Sequence, residues 1–154
     1  MLLSQQVYFL CNIMSTTNTI IHYFIRKFNA KYFPILQIYN EKNPPKNTRW
    51  FQSLMDYDFL LKGNYFTEFR ESYVIVLCKE DPWGENIPCY TFANHCMEDI
   101  GLVLKDKTHK IFYNVNAFEK LSNDVETKAF LGYLCKHQST TKFTQSLETA
   151  VYRN

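Results

Sequence analysis

The feature that most constrains this fold is a segment at 72–78 that is apolar almost throughout, Ser-Tyr-Val-Ile-Val-Leu-Cys. The run is far shorter than the ~20 residues that a membrane span needs. It also lacks the alternation of apolar and polar residues that is typical of a strand with one face in water. A short continuous run of this kind is typical of a strand covered on both faces, as in the sheet of an α/β protein.

A helix is predicted immediately before this strand, at about 46–62. Asn43-Pro44-Pro45 is typical of a helix start, and Gly63 is typical of the residue that follows a helix. The apolar residues at helical spacing are expected to face the sheet, and they are Trp50, Leu54, Tyr57 and Leu61, widened by Phe51 and Met55. The opposite side is expected to carry Arg49, Gln52, Ser53 and Asp56.

The second half of the chain predicts two more strands and two more helices. Asp81-Pro82-Trp83-Gly84 indicates a turn before a strand at 89–93, and a polar stretch separates that strand from another at 110–114. Asn123 and Glu126 resemble a capping pair for a helix that ends near residue 135. Thr140 or Thr141 can cap a last helix with Phe143, Leu147 and Val151 on one face. This order of elements indicates an α/β or α+β fold.

The first forty residues differ in composition from the rest. They contain three basic residues and no Asp or Glu, and the first acid is Glu41. Globular surfaces normally mix both signs of charge. The region also lacks a sustained period, which predicts one strand or short helix in an otherwise loose segment; an ordinary N-terminal helix with a basic face is the alternative. A secretory signal places basic residues before its apolar segment. Here the apolar patches come before the first basic residue, so no secretory signal is predicted.

The five cysteines are scattered, with no Cys-x-x-Cys pair, so we expect free thiols in a reducing cytoplasm. Cys89, His95 and Cys96 supply only three of the four ligands that a structural zinc site needs, and no metal site is predicted. Cys135 and His137 are two residues apart, but nothing orients them as a catalytic pair.

Residues 42–51 contain a small basic cluster, Lys42, Lys46 and Arg49, followed by Trp50 and Phe51. Such a combination can contact a phosphate backbone. The competing interpretation is that the charges are solvated and the aromatic rings belong to the core. A net charge of +2 does not by itself imply a nucleic-acid or membrane partner.

The segment 43–56, Asn-Pro-Pro-Lys-Asn-Thr-Arg-Trp-Phe-Gln-Ser-Leu-Met-Asp, resembles a helix of the bacterial PD-(D/E)XK nuclease family transposases, relatives of the recombination-promoting nucleases. The resemblance covers roughly 37–153 and includes 61–63, 72–78, 81–84, 90–96 and 110–114 in the same order. It implies a partial restriction-endonuclease-like core, a mixed sheet flanked by helices, over 35–154. Residues 1–34 lie outside the resemblance.

The activity implied by this resemblance is Mg²⁺-dependent cleavage of DNA, with an Asp and a Glu-x-Gln motif on adjacent strands as metal ligands. The resemblance places the Gln of this motif at Gln37 and the Glu at Ile35, which cannot bind a metal. No acid before Glu41 can supply the Asp. We therefore expect a truncated, catalytically inactive relative without a bound metal. Lys46 and Arg49 are its candidate DNA-binding residues, and a non-enzymatic DNA-binding or protein-interaction module is the alternative.

Overall fold

The computed structural model describes residues 35–39, 44–136, 140–142, 144 and 145. The segment 1–34 and the apolar face of the expected last helix (Phe143, Leu147 and Val151) lie outside the described residues. The described elements are, in chain order, β1 (Ile35–Tyr39), α1 (Pro44–Leu61), β2 (Ser72–Cys78), β3 (Cys89–Phe92), β4 (Thr108–Asn114) and α2 (Val125–Lys136), with short 3-10 helices at Phe66–Glu68 and Val115–Lys120.

The four strands form one mixed sheet in the order β1-β2-β4-β3. Strands β1, β2 and β4 are parallel to one another, whereas β3 is antiparallel to β4. Helix α1 connects the neighbouring parallel strands β1 and β2, as expected of a βαβ unit. The fold class is therefore α/β, with the mixed sheet and flanking helices that the sequence predicts.

Strand β2 is the centre of the core, and its residues from Val74 to Cys78 are all at most 2% exposed. Its side chains alternate between two apolar layers. One layer packs against α1 and contains Val74, Val76 and Cys78 together with Phe51, Tyr90 and Phe112. The other packs against α2 and contains Ile75 and Leu77 together with Ile111, Tyr113, Val115, Phe130 and Leu131. The prediction of a strand covered on both faces is confirmed.

The predicted orientation of α1 is wrong for half of the residues expected to face the sheet. Trp50, Tyr57 and Leu61 are each more than half exposed. Of the predicted stripe, Phe51, Leu54 and Met55 do pack in the core. The buried side of the helix also contains Thr48, Gln52 and Phe59. Residues 51, 55 and 59 form an i, i+4, i+8 row, so α1 is apolar on two opposite sides and the sequence pattern did not distinguish them.

Local chemistry fixes the helix ends. Gly63 has a φ of +81°, a conformation that other residues rarely adopt, and its N–H donates to the Leu60 carbonyl. Helix α2 begins one residue later than predicted, since the Thr127 N–H donates to Asp124 Oδ1 at 3.1 Å and the cap is Asp124 rather than Asn123. The Thr144 N–H donates to Thr141 Oγ1, which confirms Thr141 as a cap.

The orientation of α1 can be tested with two neighbouring aromatic residues. We expect Phe51→Ala to lower the free energy of unfolding by about 3–5 kcal/mol, because it leaves a cavity against β2. Trp50→Ala should cost clearly less, since this side chain is 55% exposed and is not part of the core. Urea denaturation of both variants measures the difference. A larger loss for Trp50→Ala would reverse the assigned orientation.

Candidate functional site

Strand β1 contains the positions at which the resemblance places the metal-binding motif. Among the described strands it is one of the two outermost ones, and Ile35 lies opposite Val74 and Gln37 opposite Val76 of the central strand. These positions are therefore held by backbone pairing to the most buried strand of the protein. Isoleucine has no atom that can bind Mg²⁺, so β1 contributes no carboxylate there.

The outer face of α1, defined here as Lys46, Arg49, Trp50, Ser53, Tyr57 and Leu61, lies opposite the buried row. All six residues are exposed. Lys46 and Arg49 are one turn apart, and Trp50 and Tyr57 continue the same side of the helix. This face therefore combines two cations with two aromatic rings, the side-chain types that contact phosphates and stack on bases.

The basic end of this face lies at the start of α1, where the helix dipole adds to the positive potential. Because α1 follows the carboxyl end of β1, Lys46 and Arg49 lie toward the end of the sheet that contains the carboxyl ends of the parallel strands. Open α/β sheets commonly bind ligands at this edge. The third member of the predicted cluster, Lys42, lies outside the described residues, and Phe51 is in the core.

Asp81, which follows β2 at the same sheet edge, organises a loop. Its carboxylate accepts hydrogen bonds from the N–H groups of Trp83, Gly84 and Asn86 and from the Tyr90 hydroxyl. Burial alone would raise the pKa of Asp81, but these hydrogen bonds hold the pKa below the usual 3.8. This carboxylate is occupied within the protein and is a poor substitute for a missing metal ligand.

The hydrogen bonds to the Asp81 carboxylate should contribute to the free energy of unfolding in a way that depends on pH. Because the pKa of Asp81 is lowered on folding, the contribution is present above pH 3.8 and is lost as the pH falls through the folded-state pKa. We expect Asp81→Asn to lose about 1–2 kcal/mol at pH 7, since charged acceptors form stronger hydrogen bonds. The difference should shrink between pH 5 and pH 3. Urea denaturation measures it, with the exposed Glu85→Gln as the control. A difference that is constant with pH would contradict the assignment.

A buried polar contact connects α1 to the start of β2. The Gln52 amide nitrogen donates to Asp56 Oδ1 at 3.0 Å and to Ser72 Oγ at 2.8 Å. Burial raises the pKa of Asp56, the charge of Asp106 acts in the same direction, and the hydrogen bond from Gln52 opposes both. Gln52 was expected on the solvent side, so its prediction is wrong. The burial of Gln52 depends on its hydrogen bond to Ser72, which is twenty residues away in the sequence. A local sequence pattern cannot predict such a contact.

The other candidate metal-binding and catalytic residues that the structure describes each contact a different partner and are not grouped around one site. His95 Nδ1 lies 2.8 Å from the Ile100 carbonyl, the Cys96 thiol donates to Glu98, and Cys89 lies 3.9 Å from Thr91 Oγ1. Within the described ranges, no three His, Cys, Asp or Glu side chains are grouped to hold a metal ion. Asp58 pairs with Lys62. Cys135 lies 3.8 Å from Asn116, whereas His137 is outside the described residues.

The connection between β3 and β4, residues 93–107, is an exposed arm whose two sides pair, in the place where the sequence predicts a polar stretch. It exposes large apolar side chains near its end: Met97, Ile100, Leu102, Val103 and Leu104. The apolar residues were visible in the sequence, but they follow neither a helical nor a strand period. Their exposure is a property of the folded structure.

Comparison with known protein families, with curated proteins and with solved structures finds no match. In the part of the chain that the structure describes, no helix is both long and apolar enough to cross a membrane. The fold and site therefore define an α/β protein with a basic and aromatic helix face beside a mixed sheet.

Proposed function

We propose that this chain is a non-cleaving relative of the PD-(D/E)XK nuclease family transposases that binds DNA through the outer face of α1. The observation that supports this proposal most directly is the position of Lys46 and Arg49. Both are exposed at the start of the helix that follows β1, the strand with the motif position Gln37. Phosphates attract such cations without regard to sequence.

The absence of cleavage follows from the side chains at the motif. In the family, the metal activates water and neutralises charge on the scissile phosphate. Here Ile35 replaces one carboxylate, and no acid precedes Glu41. Three acids later in the chain contact other groups: Asp56 accepts from Gln52, Asp58 pairs with Lys62, and Asp81 accepts from its own loop. We infer a cytoplasmic binding protein rather than a nuclease.

A protein-interaction module is the second candidate. The arm at 93–107 favours it, because a contiguous group of exposed apolar side chains is typical of a protein contact.

We expect Lys46→Ala/Arg49→Ala to weaken binding of duplex DNA by at least about tenfold at low salt. Each lost phosphate contact should also reduce the slope of log K against log[salt] by about one. Fluorescence anisotropy with a labelled duplex at several salt concentrations measures both effects.

A matched control removes two positive charges elsewhere. Lys62→Ala/Lys142→Ala changes the net charge equally, and Lys62 lies just beyond the far end of the same helix. Its ion pair with Asp58 is exposed, so the control should fold normally. Equal losses in both variants would mean that binding reflects net charge alone. Failure of the unmodified protein to bind would refute the proposal.

We expect no EDTA-sensitive nicking of plasmid DNA by the purified protein in Mg²⁺ or Mn²⁺, because both expected carboxylates are missing. The same assay with Ile35→Glu should also give no nicking, since the restored Glu still lacks its Asp partner. Nicking by the unmodified protein that EDTA abolishes would overturn the assignment as a non-cleaving relative.

A further inference from the structure

The end of the arm, residues 97–104, exposes more apolar surface than a solvated loop requires. Met97 is 91% and Ile100 76% exposed, and Leu102 and Leu104 are each more than half exposed. Transfer of such side chains out of water is favourable by roughly 25 cal/mol per Å². Their common position on one arm therefore indicates a surface that is covered by a partner.

Backbone hydrogen bonds pair the two sides of the arm. The Cys96 N–H donates to the Leu102 carbonyl at 2.9 Å, and the Leu104 N–H donates to the Asn94 carbonyl at 2.8 Å. At its base, the Asn94 amide donates to Asp106. The arm is thus a paired structure, and its apolar side chains lie on its surface.

The charges at the end of the arm select the kind of partner. Glu98 and Asp99 lie beside the exposed Met97 and Ile100, and both acids are exposed. Acidic side chains there repel nucleic acid and anionic lipid surfaces. They suit an apolar surface that is bordered by cations.

The outer face of α1 is such a surface. Trp50, Tyr57 and Leu61 supply apolar area, and Lys46 and Arg49 supply positive charge at one end. From residue 46 to residue 61 the face is about 22 Å long at the rise of an α-helix. The end of the arm is a turn in which the Leu102 N–H donates to the Asp99 carbonyl at 2.9 Å. In the part of the chain that the structure describes, both surfaces are exposed, and a second copy can bring them together.

We propose that the end of the arm of one copy docks on the outer face of α1 of a second copy, and reciprocally, to form a symmetric dimer. The apolar side chains of the arm cover Trp50, Tyr57 and Leu61, and Glu98 and Asp99 lie beside Lys46 and Arg49. Two reciprocal contacts close the assembly at two copies. This inference does not rest on DNA binding, although DNA and the dimer compete for the same two cations.

Charge reversal tests the pairing. Lys46→Glu/Arg49→Glu makes the helix face acidic, and an acid near a helix start also favours the helix. Glu98→Lys/Asp99→Asn makes the end of the arm basic, and Asn keeps the oxygen that accepts the Gly101 N–H. Each variant alone opposes like charges in both contacts and should be monomeric. An equimolar mixture should dimerise, because one contact is restored with reversed charges and the other is unaltered.

Sedimentation velocity over a range of concentrations measures these states, with thermal unfolding to show that each variant is folded. Met97→Ser/Ile100→Ser should weaken the dimer at least tenfold with little change in melting temperature. The dimer is refuted if the unmodified protein is monomeric at all concentrations. Dimerisation of either charge variant alone, or a monomeric mixture, would refute the assigned contact. The arm variants keep Lys46 and Arg49, so retained DNA binding with a lost dimer separates this inference from the proposed function.

Discussion

Burial of β2 on both faces is the interaction on which the rest of the structure depends. Each residue from Val74 to Cys78 is removed almost completely from water, and successive side chains supply opposite layers. Helix α1 packs on one layer and α2 on the other, so the two helices have no common core without this strand. The same packing determines which side of α1 faces water, and therefore where Lys46 and Arg49 are presented.

Much of this fold can be predicted from local sequence. A continuous apolar run at 72–78 predicts the central strand, Gly63 predicts a helix end, and the turn around Asp81 follows from the hydrogen bonds of its own carboxylate. The orientation of α1 could not be predicted from its pattern. Its two sides are both apolar, and packing against the layer of Val74, Val76 and Cys78 selects the row that contains Phe51.

The candidate site, too, could be predicted only in part from the sequence. Exposure of Lys46 and Arg49 agrees with the basic cluster, whereas Trp50 beside them was expected in the core and lies outside it. The Gln52–Asp56–Ser72 contact and the arm depend on residues brought together by folding. Apolar residues in the arm carry no periodic signal, because bends and a turn form its end instead of a helix or strand.

Burial of the central strand also sets the reactivity of its last residue. Burial, and secondarily the charge of Asp81, raise the pKa of the Cys78 thiol to about 12. The reactive thiolate is therefore very scarce at neutral pH, and reagents do not reach the sulfur while the layers are closed. Cys89, Cys96 and Cys135 are more accessible. The modification of Cys78 therefore proceeds only as fast as α1 separates from the sheet. The other described thiols react while the helix and the sheet remain packed together.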